Sequence, residues 1–233
     1  GDQGVTVLHV WAGGSRFGKT PVDRAEKNTI TREVDVRLEA DGSAAIEARE
    51  TIAGVNAASF RSRYQAEGTR KERFGRRVES LFPGAELLDF ALGGIDDRNV
   101  PVTTTYRANA PRIATPAGDT LRLPTSSISG LARSLAPTPT REHPLDLGIP
   151  SRVEETWIVR IPAGMTVEHL PENVDVESAF GKLSLDVEAR DGVIRMTTRF
   201  RIDVDRVEPK DYPKFRAWVE RIDQVVQQKV TLG

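Results

Sequence analysis

Three histidines, His9, His143 and His169, and the serines Ser126, Ser127 and Ser129 are the residues of this sequence whose types suit acyl transfer. That chemistry needs a hydroxyl nucleophile beside an imidazole base, with a carboxylate orienting the imidazole. Ser126, Ser127, His143 and Asp146 supply the types within one stretch. No Gly-x-Ser-x-Gly elbow surrounds either serine, and nothing fixes a geometry. Chance explains the set better. The chain has no cysteine, which excludes a thiolate nucleophile, thiolate metal ligands and disulfides. The histidines are scattered, with no ligand spacing around them. Asp96-Asp97 lacks the alternating oxygen ligands and fixed glycine of a calcium loop, and Asp and Asn are ordinary turn residues. The sequence therefore assigns no catalytic, cofactor-binding or metal residue. The expectation is a chain that is not itself an enzyme and carries no cofactor.

Charge points elsewhere. Lys and Arg number 33 against 34 Asp and Glu, a formal net charge of -1. A nearly neutral chain has no overall field that selects nucleic acid or an anionic membrane. The bias is local: Arg61, Arg63, Arg70, Lys71, Arg73, Arg76 and Arg77 fall in one helical stretch. One reading is a surface for an anionic polymer or an acidic partner. The favoured reading is the solvated face of an amphipathic helix, partly neutralised by Glu67, Glu72 and Glu79. No nucleic-acid motif accompanies the patch, so nucleic acid is not expected. No apolar run approaches the ~18 residues of a membrane span, and there is no signal-peptide pattern. Gly1-Asp-Gln-Gly4 reads as an added start, so the missing signal says little about export.

The elements around these residues are mostly strands. Val5–Trp11 is a β-rich apolar run expected to join a sheet, and 12–27 reads as a loop. In 29–52, Ile30, Val34, Val36, Leu38 and Ala40 share one face, and Asp41-Gly42 turns the chain into a second alternating strand. Residues 57–82 switch to a helical period, with Asn56 as cap and with Gly68 and Gly75 predicting two pieces or a bend. Strands follow at 86–92 and 100–108, and a hairpin at 112–124. Five prolines, with Ser126, Ser127 and Ser129, mark 124–150 as a domain linker, interrupted by a short helix at 128–136. Beyond it, Trp157, Val159 and Ile161 line one strand. The clearest pair is 183–189 with 194–204, turned at Asp191-Gly192. A helix over 209–228 closes the chain, before a short strand at 229–232. Its stripe predicts Trp218 buried against Met196, Phe200 and Ile202.

The fold expected is mainly β, of the α+β class: two antiparallel β-sandwich-like lobes, each with a packed amphipathic helix. The division falls at 140, giving residues 1–140 and 141–233. Both halves run strand, Asp-Gly turn, strand and helix, which fits either a divergent duplication or two uses of a common unit.

Four local patterns also resemble a known family. Arg141-x-x-Pro144-Leu-x-Leu147 opens the stretch. A strand ends in Pro162-x-Gly164, then come Phe180-Gly181 and Asp211-Tyr212-x-x-Phe215. Together they resemble the C-terminal β-rich region of bacterial transglutaminase-like proteins, which follows a papain-like core. The resemblance implies an accessory region attached to such a core, for protein interaction or core positioning. It also implies a periplasmic or extracellular location, because members commonly carry signal sequences. The core's reaction needs a Cys, and this chain has none, so no catalytic residue carries over. Three functions stay open: that accessory role, an independent binder of anionic partners through 61–77, and an unrecognised hydrolase.

Overall fold

Alternation in β3 (Thr29–Leu38) sends Arg32, Val34, Val36 and Leu38 inward and Thr31, Glu33 and Arg37 outward. The same period of two organises the whole molecule, described here for residues 3–233 in a computed structural model. Only part of Gly1-Asp-Gln-Gly4 falls within those residues. The chain opens with β1 (Thr6–Trp11), β2 (Gly14–Lys19) and a 3-10 turn at Ala25–Lys27, before β3 and β4 (Ala44–Ile52). Then come α1 (Val55–Tyr64), α2 (Glu67–Leu81), β5 (Glu86–Gly93), β6 (Val102–Ala110), β7 (Thr115–Ala117) and β8 (Thr120–Pro124). The remainder is α3 (Leu131–Leu135), β9 (Leu145–Asp146), β10 (Ser151–Arg160), β11 (Val167–His169), β12 (Val174–Ser178), β13 (Gly181–Arg190), β14 (Val193–Ile202), β15 (Arg206–Val207), α4 (Tyr212–Val226) and β16 (Lys229–Leu232).

The molecule is mostly β with packed helices, as expected, but the two halves share one sheet. Its eight strands run β12-β13-β14-β10-β3-β4-β6-β5. Each half contributes four strands, and neighbours within a half are antiparallel. The seam is a parallel pair, β3 with β10, in register from Arg152↔Thr29 to Arg160↔Arg37. The division expected at 140 is therefore not a break in the sheet. Reading outward from the seam, the first half is ordered first, second, fourth, third strand. The second is ordered first, fourth, third, second. That difference in connection favours two uses of a common unit over a duplication.

A smaller sheet, β11-β16-β8-β7, shares one continuous core with the large one. It joins β8, from before residue 140, to the C-terminal β16. The segment 124–150 is accordingly packed rather than a free linker. The Asp223 carboxylate of α4 accepts the Leu131 and Ala132 amides at 2.8 and 2.9 Å, which satisfies two first-turn donors of α3.

α2 covers one end of the large sheet, with Phe74 stacked on Phe90 at 4.8 Å and edge-on to Tyr106 at 5.5 Å. α4 covers the other end. Its stripe of Phe215, Val219, Ile222 and Val226 is buried, each contributing roughly 1.5–3 kcal/mol. Trp218 is buried and stacks on Phe200 at 6.0 Å, as its spacing predicts.

Two local expectations change. Asn56 does not cap α1; its side chain donates to the Asn28 carbonyl at 3.1 Å. The cap comes from far away in sequence: the Asn28 side-chain oxygen accepts the Val55 amide at 3.0 Å. And Val5–Trp11 does not join a larger sheet. Among the described residues its β1 pairs only with β2, inside the stretch read as a loop.

Candidate functional site

The register places a polar row across the covered face of the large sheet. Thr198 of β14, Glu155 of β10, Arg32 of β3, Glu50 of β4 and Thr104 of β6 are successive cross-strand partners. All five are buried. Arg32 donates to Glu50 through Nε at 2.5 Å and to Glu155 through Nη1 at 2.5 Å, so one guanidinium bridges two carboxylates. Glu50 also accepts two bonds from Arg77 Nη2 at 2.8 and 2.9 Å, and one from Thr104 at 3.1 Å. Glu155 accepts from the Ser126 hydroxyl at 3.0 Å and from the Ser127 amide at 2.7 Å.

The electrostatics follow from this packing. Burial disfavours the Arg32 charge, but Glu50 and Glu155 outweigh it and hold the guanidinium protonated above the usual arginine range. Burial likewise pushes the Glu50 carboxyl up, and Arg32 with Arg77 overcomes it, bringing the pKa down to about 2. Tyr106 moves the other way: burial first, then Glu50, pushes its phenol well above the ordinary value. Two arginines and two glutamates make the row neutral as a set. Its charges are paired internally, which suits it to holding the seam rather than to turning over a substrate; the Thr198 hydroxyl at its end is buried without a partner among the described residues.

This arrangement disposes of the hydrolase set. Ser126 and Ser127 bond Glu155, with no histidine in hydrogen-bond reach. His143 and Asp146 are exposed; the Asp146 carboxylate accepts the Gly148 amide at 2.7 Å. His9 and His169 lie exposed on other strands. Among the described residues, no group of three or more His, Asp or Glu is placed to hold a metal ion.

Most of the 61–77 basic side chains have internal work. Arg61 donates to the carbonyls of Gly94, Asp97 and Val100 at 2.9, 2.8 and 2.5 Å, fixing that loop. Arg70 and Arg73 reach back to the free carbonyls at the end of α1: Arg70 to Tyr64 at 2.6 Å, Arg73 to Arg63 at 2.7 Å. Arg76 pairs with Glu72 at 2.6 Å. Arg77 turns inward to Glu50, its guanidinium 5.7 Å over the Phe60 ring. Arg63 and Lys71 are exposed.

The row was detectable in the sequence by parity. Arg32 stands where Ile30 and Val34 set an apolar side, Glu50 between Ala48 and Ile52, and Glu155 two residues before Trp157. Charges of opposite sign at apolar parity in three strands form a signal that the alternation reading passed over. Asn28 had no such signal. It is buried, and besides capping α1 it donates to the Pro150 carbonyl at 3.0 Å and accepts the Arg152 amide at 3.0 Å.

Three of the four patterns that carry the family resemblance, those around Arg141, Phe180 and Tyr212, are packing devices. The Arg141 guanidinium lies 5.8 Å over the Tyr212 ring, and Tyr212 donates to the Thr138 carbonyl at 2.7 Å. Phe180 meets Phe215 edge-on at 5.3 Å. Gly181 has φ +155, and a side chain there would strike the Arg201 carbonyl, so Phe180 must be followed by glycine.

The β1–β2 hairpin contrasts with all of this. Leu8, Val10 and Phe17 lie on one face, 51, 72 and 77% exposed, with Trp11 at the tip 53% exposed. No helix of the described residues is long and apolar enough to cross a membrane.

Residues 121–232 match a family described as a Domain of Unknown Function with solved structure, DUF3858. The match begins within β8, whose partner is the terminal β16, rather than at the expected division. No curated protein matches the chain. Among solved structures, one from Parabacteroides distasonis, provisionally described as a protease, is similar at 17% identity and a TM-score of 0.37. The similarity covers 41% of this chain and 19% of that one, so the matched part is about a fifth of that protein's length.

Proposed function

We propose that this chain is a non-catalytic accessory module that binds a protein partner through the hairpin Thr6–Lys19. The partner is a transglutaminase-like core, in the same polypeptide or supplied separately, as the motifs around Arg141, Phe180 and Tyr212 imply. The setting is the periplasm or the outside of the cell, with no nucleic acid and no membrane insertion involved.

One observation carries the reading: the exposed apolar face of β1 and β2. A two-stranded hairpin alone is marginal in water, and three or more strands or a covering layer are needed for independent stability. Leu8, Val10 and Phe17 have no such layer among the described residues. Surface apolar residues scattered singly need no explanation, but three on one face of a free hairpin form a patch suited to an interface. The chain also lacks the thiol through which the core's acyl transfer runs. A binding role beside the core is chemically consistent, and turnover is not.

The test adds a transglutaminase-like core in trans and measures association by calorimetry. The Leu8→Ser, Phe17→Ser pair is expected to weaken binding at least ~tenfold, about 1.4 kcal/mol, while the fold persists. Unchanged affinity would remove the hairpin from the interface. Amide hydrolysis by the isolated chain would end the non-catalytic reading.

A further inference from the structure

Five side-chain polar atoms are buried without a hydrogen-bond partner among the described residues, and two of them belong to one place: Tyr64 Oη and Arg77 Nε. Burying such a group unpaired costs about 1–3 kcal/mol, so two together call for a reason. Both residues line an open cleft of about 480 Å³ between α1 and α2. The rest of its lining is Arg63, Arg73, Arg76 and Ser80.

Four guanidinium groups therefore converge on one cleft, and their charges are not all cancelled. Arg76 is paired with Glu72, and Arg77 with Glu50, which it shares with Arg32. Arg32 is in turn held by Glu155, so that set closes on itself. Arg63 and Arg73 have no carboxylate partner among the described residues. The Arg73 bond to the Arg63 carbonyl uses Nη1 alone. Two positive charges remain over a floor that carries a buried phenol. Burial pushes the Tyr64 phenol up, against the pull of Arg77, Arg63 and Arg73, so it stays a neutral donor.

We propose that this cleft is a binding site for a phosphate-type dianion. The reasons are charge and geometry. Two uncompensated arginines balance two negative charges, where a single carboxylate would leave one over. Guanidinium groups donate in a planar fork that matches tetrahedral oxyanions bidentately. Tyr64 Oη and Arg77 Nε are closed off from the cleft in this structure, so an oxyanion drawn in between Arg63 and Arg73 pairs with them only once the side chains covering both atoms move aside. The cleft is larger than a phosphate, which leaves room for the group that bears it. The site lies on α1 and α2, not on the hairpin, so it stands or falls apart from the proposed function.

The test is calorimetric titration of the whole chain with inorganic phosphate at low salt, with acetate and a hexaglutamate peptide as separate arms. Phosphate is expected to bind saturably, at least ~tenfold tighter than acetate. Arg63→Gln with Arg73→Gln should weaken phosphate at least ~tenfold. Arg73 also closes the end of α1, so Tyr64→Phe provides a second variant that removes only the unpaired hydroxyl. It should weaken phosphate several-fold while the melting temperature holds or rises, an outcome a purely structural phenol would not give. Lys71→Gln, exposed on the same helix, should stay within about twofold, since it lies outside the cleft. Absence of saturable phosphate binding would overturn the site. Unchanged affinity in both the arginine pair and Tyr64→Phe would do the same, and a hexaglutamate preference would replace the phosphate with a protein carboxylate.

Discussion

Two regions of this molecule invert the usual rule of apolar inside and charged outside. At the centre of the large sheet, Arg32, Glu50 and Glu155 bury charge among valines and alanines. At the β1–β2 hairpin, Leu8, Val10 and Phe17 hold apolar surface in water. The difference lies in compensation. Every charge of the central row meets its opposite inside the chain, at 2.5–2.9 Å. The hairpin's apolar face has no covering layer among the described residues. A buried charge that is fully paired explains itself as structure, whereas an exposed apolar face that is unpaired points outside the molecule.

The sharpest way to break the contrast is Arg32→Met. It leaves two carboxylates facing each other across the seam with one arginine, Arg77, on only one of them. Removing one partner of a buried ion pair typically costs about 3–5 kcal/mol. Chemical denaturation should show that loss, and an unchanged midpoint would mean the row is not buried as described. A smaller effect comes from acid. Glu50 has a pKa of about 2 when folded, below its ordinary 4.5. A depressed carboxyl stabilises the fold above its unfolded pKa and loses that contribution as pH falls through the folded one. Stability should therefore drop between about pH 5 and pH 2, by on the order of 3 kcal/mol. Urea midpoints measured across that window check it, and a flat profile would deny the Arg32 and Arg77 pairing. The smallest effect belongs to the hairpin. Leu8→Ser with Phe17→Ser should change the isolated chain's stability by no more than ~0.5 kcal/mol, the range for surface positions. A larger loss would mean that the face packs against the chain itself.

Much of the scaffold was readable from local pattern. The Asp41-Gly42 and Asp191-Gly192 turns, the two helical pieces before Pro83 and the burial of Trp218 follow from period and turn chemistry. What the pattern hid was long-range. The β3–β10 pair joins residues over a hundred positions apart, and alternation says which face is buried but not which strand lies alongside. Asn28 was hidden for the same reason, since beyond Arg24 and Ala25 its partners are at 55, 56, 150 and 152. The basic stretch was legible as composition, yet composition does not tell an arginine that closes a helix end, such as Arg70, from one that faces an open cleft, such as Arg63. The hairpin was half seen: β1 was plain, but the Gly and polar residues of β2 masked its partner.

The parallel seam has a consequence for how the chain comes into being. Arg32 and Glu155 are 123 residues apart, so their pairing closes a loop of more than half the chain. Contacts of such separation form slowly, because chain entropy must be surrendered before they reward it. During synthesis β4 can join β3 on one side early, while the other side stays an open strand edge until β10 has emerged. Open edges are templates for pairing with other chains. Nascent chains that end short of Ser151 are therefore the ones most prone to self-association, and completing the seam is the step that ends that exposure.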